Sequence, residues 1–572
     1  MIMKHQLSSV VALITLLCAG MSHAQQTNYD FIIAGTRIVD GTGAPWFVGD
    51  IGIVGDRIAA IGDLHNAAAK KRVEAAGLVT SPGFIDIQGQ SEFNVLVDNR
   101  AASKITQGVT TEITGEGTSI APINDRLLQD LQPGAKKYGV TLDWQSLAEY
   151  FRHFESARSA INLGTFVGAG GLCEYVIGRD NRPATPAELE EMRQLVAQAM
   201  EQGAFGLSSA LQYVPDVYAS TDEIVELAKV ARRYGGVYFT HQRSEADNIF
   251  DSLDEVFAIA QRAGISATIW HLKTAYPENW GKMPEVLRRI EAARARGLDV
   301  GASVYPYARA SNGLVACFPS WVSEGGAEKM VERLKDPALR ARAQKEMDEP
   351  SATWENQWRG SGGAKGVLLI QVLNSELRQY EGMTLEEIGH QMGKDPKDAA
   401  MDIVLADRGA TPYSLGESQV VISIMEEADV RAANSNPLVT YGSDSPAQAE
   451  DGPLSMTKAH PRAFGTFPRI LAEYVREEHI MRLEEAIRKM TSLAASRVGI
   501  MDRGILRPGM MADIALFDPA TIQDLATYNF PLRYSVGVKD VFVNGRPVVL
   551  DGKITGERPG RALRGPGYKP VQ

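Results

Sequence analysis

The chain has 572 residues, enough for a large core and more than one domain. It is 44% hydrophobic and 23% charged, which excludes a disordered or low-complexity polypeptide. A net charge of −11 argues against nucleic acid as a partner.

Residues 1–24 read as a secretory signal peptide. Lys4 and His5 precede the apolar run 10–18, and Ser22-His23-Ala24 offers a small-x-small cleavage site, with the cut after Ala24. The run is too short to span a bilayer. A lipoprotein would use Cys18, but the bulky Leu17 before it argues against that. The expected product is a soluble periplasmic or secreted protein, with no membrane contact after cleavage. Cys173 and Cys317 then remain and could pair, but two cysteines are not a disulfide framework.

After the signal, YDFIIAGTRIVDGTG and DIGIVGDRIAAIGDL are short β-rich runs broken by Gly and Asp turns. The C-terminal end has the same texture, with ADIALFDP and VKDVFVNGRPVVLDGKI, and Asn544-Gly545 as a hairpin turn. One small β domain built from both ends, 25–80 and 500–572, is the simplest reading. Between them FIDIQGQ, GVTTEITGEG, INLGTFVGAG, GAFGLSSA, GGVYFTHQ, SATIWHLK, VGASVYPY and LVTYGSDS are strand candidates. Amphipathic helices such as PAELEEMRQLVAQAMEQG and TDEIVELAKVARRYG separate several of them. Eight strands with helices between predict an α/β fold, a (β/α)8 barrel of the TIM type, over 81–499. The stretch of about 311–435 is too long for one βα unit and reads as an insertion over the barrel mouth. No internal repeat is evident.

Catalytic groups in such barrels sit at the C-terminal ends of strands. There the chain places Gln88 and Gln90, Glu116, His241, His271 and Asp444. His241 and His271 end adjacent strands, so both point into one mouth and read as metal ligands. Gln88 and Gln90 alternate and share a face of the first strand.

Residues 81–92, SPGFIDIQGQSE, resemble the first barrel strand of the amidohydrolase superfamily, PGFID-x-H-x-H, whose two histidines bind a catalytic metal. Here both are glutamine, and a neutral amide is a poor zinc ligand. Within that superfamily the chain resembles the N-acyl-D-amino-acid deacylases. GVTTEITGEGTSIAP, GAFGLSSALQYVP, HPRAFGTFPRIL and RGILRPGMMADIALFDPATIQDLATY carry the likeness, and the third of these is long and specific.

The resemblance implies a metal-dependent hydrolase of N-acyl amino acids. Asp444 in VTYGSDSP matches the aspartate that takes a proton from the attacking water and passes it to the leaving group. Lys273, Tyr305 and Ser311 match the positions that hold the substrate carboxylate. Besides the glutamine pair, two departures stand out. The family's zinc-binding cysteine after the second strand aligns with Gly117, next to Glu116. Gly168-Ala169-Gly170 lacks a histidine that usually follows the glycine. Ser208-Ser209 offers no lysine for a carbamylated bridge. A carboxylate also binds zinc in catalytic sites. The expected centre is therefore a single Zn²⁺ held by Glu116, His241 and His271. Gln88 and Gln90 are expected to line the pocket as hydrogen-bonding groups. The alternatives are a related amidohydrolase acting on a dipeptide, cyclic amide or lactone, and a metal-free relative that binds a ligand without turnover.

Overall fold

The computed structural model describes residues 28–351, 354–408 and 418–570. The signal segment read at 1–24 lies outside the described residues. Among the described residues no helix is long and apolar enough to cross a membrane.

Two sheets organise the chain ends and the middle. The first is a mixed sheet with the order β21(Lys553–Ile554), β20(Arg546–Leu550), β19(Val538–Val543), β18(Ile514–Phe517), β5(Val79–Pro82), β1(Tyr29–Ile38), β2(Phe47–Val54), β3(Arg57–Gly62), and β4(Ala69–Glu74) also pairs with β1. The two ends of the chain meet where β5 pairs antiparallel with β18, with Thr80 opposite Leu516. Ile33, Ile51, Ile53, Ile514, Leu516 and Phe542 fill the core beneath. Asn544 and Gly545 join β19 to β20 with positive φ at both positions, 47° and 75°. This is the backbone a two-residue hairpin turn requires and Asn-Gly tolerates.

The second is a barrel. β6(Phe84–Asp86), β7(Val109–Thr114) and β8(Asn162–Thr165) form one run of parallel strands. β9(Val167–Gly168), β10(Gly206–Ala210), β11(Val237–His241), β12(Ala267–Ile269), β13(Val300–Val304) and β17(Val439–Tyr441) form the other. β8 and β9 are one strand interrupted at Phe166. A parallel bridge from Gly89 to Ser445 closes the ring between β6 and β17. The strands are buried on both faces, although several carry polar residues such as Thr110, Glu112, Ser208 and Ser209. Phe166, Phe239 and Trp270 meet inside at 4.7–5.6 Å between ring centroids, and the Trp270 indole donates to the Ile87 carbonyl across the ring. These rings form the floor of the mouth.

The intervening helices carry their own start signals. Helix Pro186–Gln202 opens with a Thr185/Glu188 capping box and closes on Gly203, and helix Thr221–Arg233 opens with Ser220/Glu223. Within 311–435, strands β14(Ala310–Gly313), β15(Val367–Gln371) and β16(Gln419–Ile422) form a separate antiparallel sheet in the order β14-β16-β15. It has its own core of Leu314, Met330, Leu369, Ile388, Val420 and Ile422. Helix Glu427–Ser435 packs instead on helix Met283–Ala295 and on β13 and β17. Cys173 and Cys317 are both buried and do not pair.

One buried ionic cluster braces the closure of the barrel. Lys104 Nζ, fully buried, donates to Asp86 Oδ2, Ser443 Oγ and the Ser445 carbonyl, each at 2.8 Å, and lies 3.4 Å from Glu112 Oε2. It thereby ties β6 and β7 to the turn that carries Asp444. Lys104→Met leaves two buried carboxylates without a cation. We expect it to cost about 3–5 kcal/mol, read as a lower urea unfolding midpoint. A loss below about 1 kcal/mol would remove the cluster from this role.

Candidate metal centre and catalytic cavity

His241 is the last residue of β11, two residues after Phe239, so it shares the inward face with that ring. His271 follows Trp270, which already faces inward. It turns into the mouth by taking φ +34°, a strained value for a non-glycine residue. Asp444, at φ +50°, does the same after β17, and its N–H donates to the Gln88 carbonyl at 2.8 Å. Glu116 leaves the end of β7. Its neighbour Gly117 has φ +63°, and a Cβ there would stand 2.4 Å from the Ala210 Cβ. No ligand side chain fits at 117, so the acid at 116 takes the position facing the histidines.

Three ligand atoms converge. Glu116 Oε1 lies 2.9 Å from His271 Nε2 and 3.3 Å from His241 Nδ1, and the two ring nitrogens are 2.9 Å apart. A tetrahedral zinc site with ligand distances near 2.0–2.1 Å has edges of about 3.3 Å, so the spacing suits one ion. Three lone-pair atoms held this close repel one another unless a proton or a cation lies among them. Among the described residues this is the one group of three His, Cys, Asp or Glu whose ligand atoms all lie within 4.8 Å of one another. The donor set therefore fits a single Zn²⁺. It draws no ligand from the first strand, so the Gln88/Gln90 pair is not itself the metal site.

The next shell fixes the ring orientations. His241 Nε2 faces Gln212 Oε1 at 2.6 Å, and His271 Nδ1 faces Glu245 Oε1 at 2.8 Å. Such partners set the tautomer and raise ligand basicity. Glu245 also takes a 2.6 Å bond from Lys273 Nζ, and that ammonium stands 2.7 Å from His271 Nδ1. The insertion supports this loop, because Glu355 Oε1 accepts from the Glu245 N–H at 2.8 Å and from the Ser244 hydroxyl. Burial and the neighbouring Glu245 push the Glu355 carboxyl up to about 7.

Burial and the close packing of charged groups dominate the electrostatics of the triad. Burial pushes the Glu116 carboxyl up, but His271 and His241 outweigh it and hold it well below the usual range. Burial and Lys273 oppose charge on His271, while Glu245 and Glu116 hold it up at about 9. His241 is lowered, chiefly by burial. Asp444 is raised by burial, an effect opposed first by Arg462.

Gln88 is buried beneath the cavity and does not line it. Its amide donates to Glu116 Oε2 at 2.8 Å. Gln90 does line the cavity, and its amide donates to Asp444 Oδ1 at 2.9 Å. Lys273, Tyr305, Ser311 and Asp444 face the same cavity of about 880 Å³ as Glu116, His241 and His271. Lys273 is not a free rim cation, being bound to Glu245 as described. The Tyr305 hydroxyl is buried with no hydrogen-bond partner among the described residues.

Gln212, Glu245 and Arg462 are site residues that the sequence reading passed over. Glu245 lies four residues after His241, and Arg462 sits in the HPR motif that carries the family resemblance. Arg462 is 4% exposed, pairs with Asp444 Oδ2 at 2.8 Å and stacks over the Tyr305 ring at 4.7 Å. Gln212 carried no signal of its own.

Residues 421–549 match the family model described as Amidohydrolase family. The chain is 33% identical to D-aminoacylase of Alcaligenes xylosoxydans xylosoxydans over 547 residues, covering 95% of this chain and 99% of the relative. It is similar to a solved D-aminoacylase structure described for a binuclear metal centre with one-metal activation and second-metal attenuation. The TM-score is 0.76 and the identity 32%, with 94% of this chain and 100% of that one covered. It is also similar to the N-acyl-D-glutamate deacylase of Bordetella bronchiseptica, solved with zinc and a phosphonate mimic of the tetrahedral intermediate. There the TM-score is 0.77 and the identity 30%, with the same coverage. Likeness of this extent, on a barrel whose mouth gathers a zinc-type triad, shows that the chain belongs to the amidohydrolase superfamily, in the group of the D-aminoacylases and N-acyl-D-amino-acid deacylases.

Proposed function

We propose that the protein is an exported, zinc-dependent amide hydrolase that removes the acyl group from N-acyl amino acids, with the D configuration of its relatives' substrates. The observation that carries this reading is the convergence of Glu116, His241 and His271 in one cavity with Asp444. Zinc in that triad supplies Lewis-acid polarisation of the amide carbonyl and acidifies a water.

The chain's own residues supply the rest. Asp444 accepts the proton of the attacking water and delivers it to the leaving nitrogen. Its raised proton affinity suits the step in which it takes the proton. The Tyr305 hydroxyl, the Ser311 hydroxyl and the N–H of Lys273 left over from Glu245 bind the substrate carboxylate, an acceptor-only group that needs such donors.

The first strand is a QxQ variant of the superfamily's HxH. Both amides act as neutral donors, one to Glu116 and one to Asp444, where a second cation would need ligands. The site is thus restricted to one metal. We expect about one zinc per purified chain, and no loss of activity in excess zinc. Gln88→His with Gln90→His should raise the metal content above one, read by elemental analysis. Two zinc ions in the native protein would overturn the single-metal reading.

The function is tested on a panel of N-acyl-D- and N-acyl-L-amino acids set against cyclic amides, lactones and dipeptides. Turnover of the open N-acyl amino acids, D over L, is the expected result. Turnover confined to the other classes, or no bound metal and no hydrolysis with added zinc, rejects it.

A further inference from the structure

The cavity is larger than the triad and a carboxylate clamp require. At about 880 Å³ it lies near the upper end of the roughly 300–1,000 Å³ usual for small-molecule sites. Its two sides differ. Lys273, Tyr305 and Ser311 stand on the side of β12, β13 and β14. Across the mouth, the loop after β6 supplies Phe93, and the loop after β7 with helix Asp125–Lys137 supplies Ile120, Ile123, Leu127 and Leu131.

Leu127 and Leu131 are four apart on the helix and so share one face. Leu131 is 47% exposed, an apolar side chain that this helix does not bury. The charged groups on the same side include Arg126, Asp130, Glu174 and Arg179, which lie close enough to act on one another. Arg179 Nε donates to Glu174 Oε1 at 2.7 Å, and Arg126 donates to the Glu174 carbonyl. Beside these charges, what this side offers a hydrocarbon is the apolar surface of Phe93, Ile120, Ile123, Leu127 and Leu131.

Resting on the deacylase reading, we infer that this wall receives the acyl chain, and that the substrates are N-acyl amino acids with medium-length or longer hydrocarbon acyl groups. The geometry sets the direction. The amino-acid half is fixed by its carboxylate on the β12–β14 side, and the scissile carbonyl lies over the triad. The acyl carbons leave that carbonyl away from the amino acid, towards Phe93 and helix Asp125–Lys137. An acetyl group would leave the wall uncovered.

The test compares the N-acetyl and N-octanoyl derivatives of the amino acid best turned over in that panel, each as the racemate, with the zinc-loaded protein. A buried methylene is worth about fourfold, and if half of that is realised over six added methylenes, kcat/KM rises about 60-fold. Leu131→Glu, at an exposed position that folding tolerates, and Leu127→Glu should each lower the octanoyl-to-acetyl ratio by about tenfold or more, because a carboxylate then lies along the hydrocarbon path. A native ratio at or below one overturns the inference while leaving the deacylase reading in place. A ratio that neither variant changes overturns the assignment of the wall. Hydrolysis of neither substrate rejects the deacylase reading, and this inference falls with it.

Discussion

Asp444→Asn is expected to lower kcat by about 10²–10⁴-fold while zinc content stays unchanged, because the amide cannot accept the proton of the attacking water. The substitution keeps the shape and the polar contact with Gln90, so a loss of this size reports proton transfer and not collapse of the site. A loss under tenfold would remove Asp444 from that role.

The same residue sets the acid limb of the pH profile. A base must be ionised to act, so activity is lost as pH falls through the Asp444 pKa. Burial raises that pKa and Arg462 opposes the rise. Arg462→Gln removes the cation, favours the protonated acid and moves the acid limb to higher pH, whereas Arg462→Lys retains the charge and moves it less. Glu116, His271 and Lys273 also act on Asp444. All three are unaltered in both variants, so the difference between the two profiles isolates Arg462.

The second large effect is expected at Glu116. Glu116→Gln preserves volume but removes the charge and one good ligand from the triad. Loss of an outer-shell partner alone costs a metal site about 10–100-fold in affinity, so loss of a direct ligand should exceed about 100-fold. Competition against a chelator measures this independently of turnover, and activity at fixed low zinc should fall in parallel. Full zinc retention under chelator challenge would exclude Glu116 as a ligand. The alternative ligand cannot be Gly117, whose φ and contact with Ala210 leave no room for a side chain.

The barrel was legible because short strand candidates alternate with amphipathic helices, and because His241 and His271 stand where such strands end. Glu116 was legible only by combining position with chemistry, since an acid after a strand is ordinarily a solvated loop residue. Asp444, Tyr305 and Ser311 came from resemblance; nothing in the local sequence distinguishes a turn aspartate from a proton carrier. Gln212, Glu245 and Arg462 stayed hidden for a different reason. Their partners lie 29, 26–28 and 18 positions away, and no periodicity links such pairs before the chain is folded. Gln88 and Gln90 were read as sharing one face of the first strand, but that strand ends at Asp86, and depth along the barrel axis is not encoded in alternation. Gln88 therefore lies under the cavity, while Gln90 opens onto it.

The pairing of Thr80 with Leu516 has a bearing on how the chain is made. The first strands to leave the ribosome have no complete sheet to join until β18 follows, and the bridge from Gly89 to Ser445 imposes a shorter wait on the barrel. Contacts this distant in sequence slow folding and leave strand edges open to wrong partners in the meantime. A C-terminal truncation that reaches β18 removes β19, β20 and β21 with it and unpairs β5 at the other end of the molecule, and the damage should appear first as aggregation of newly made chains.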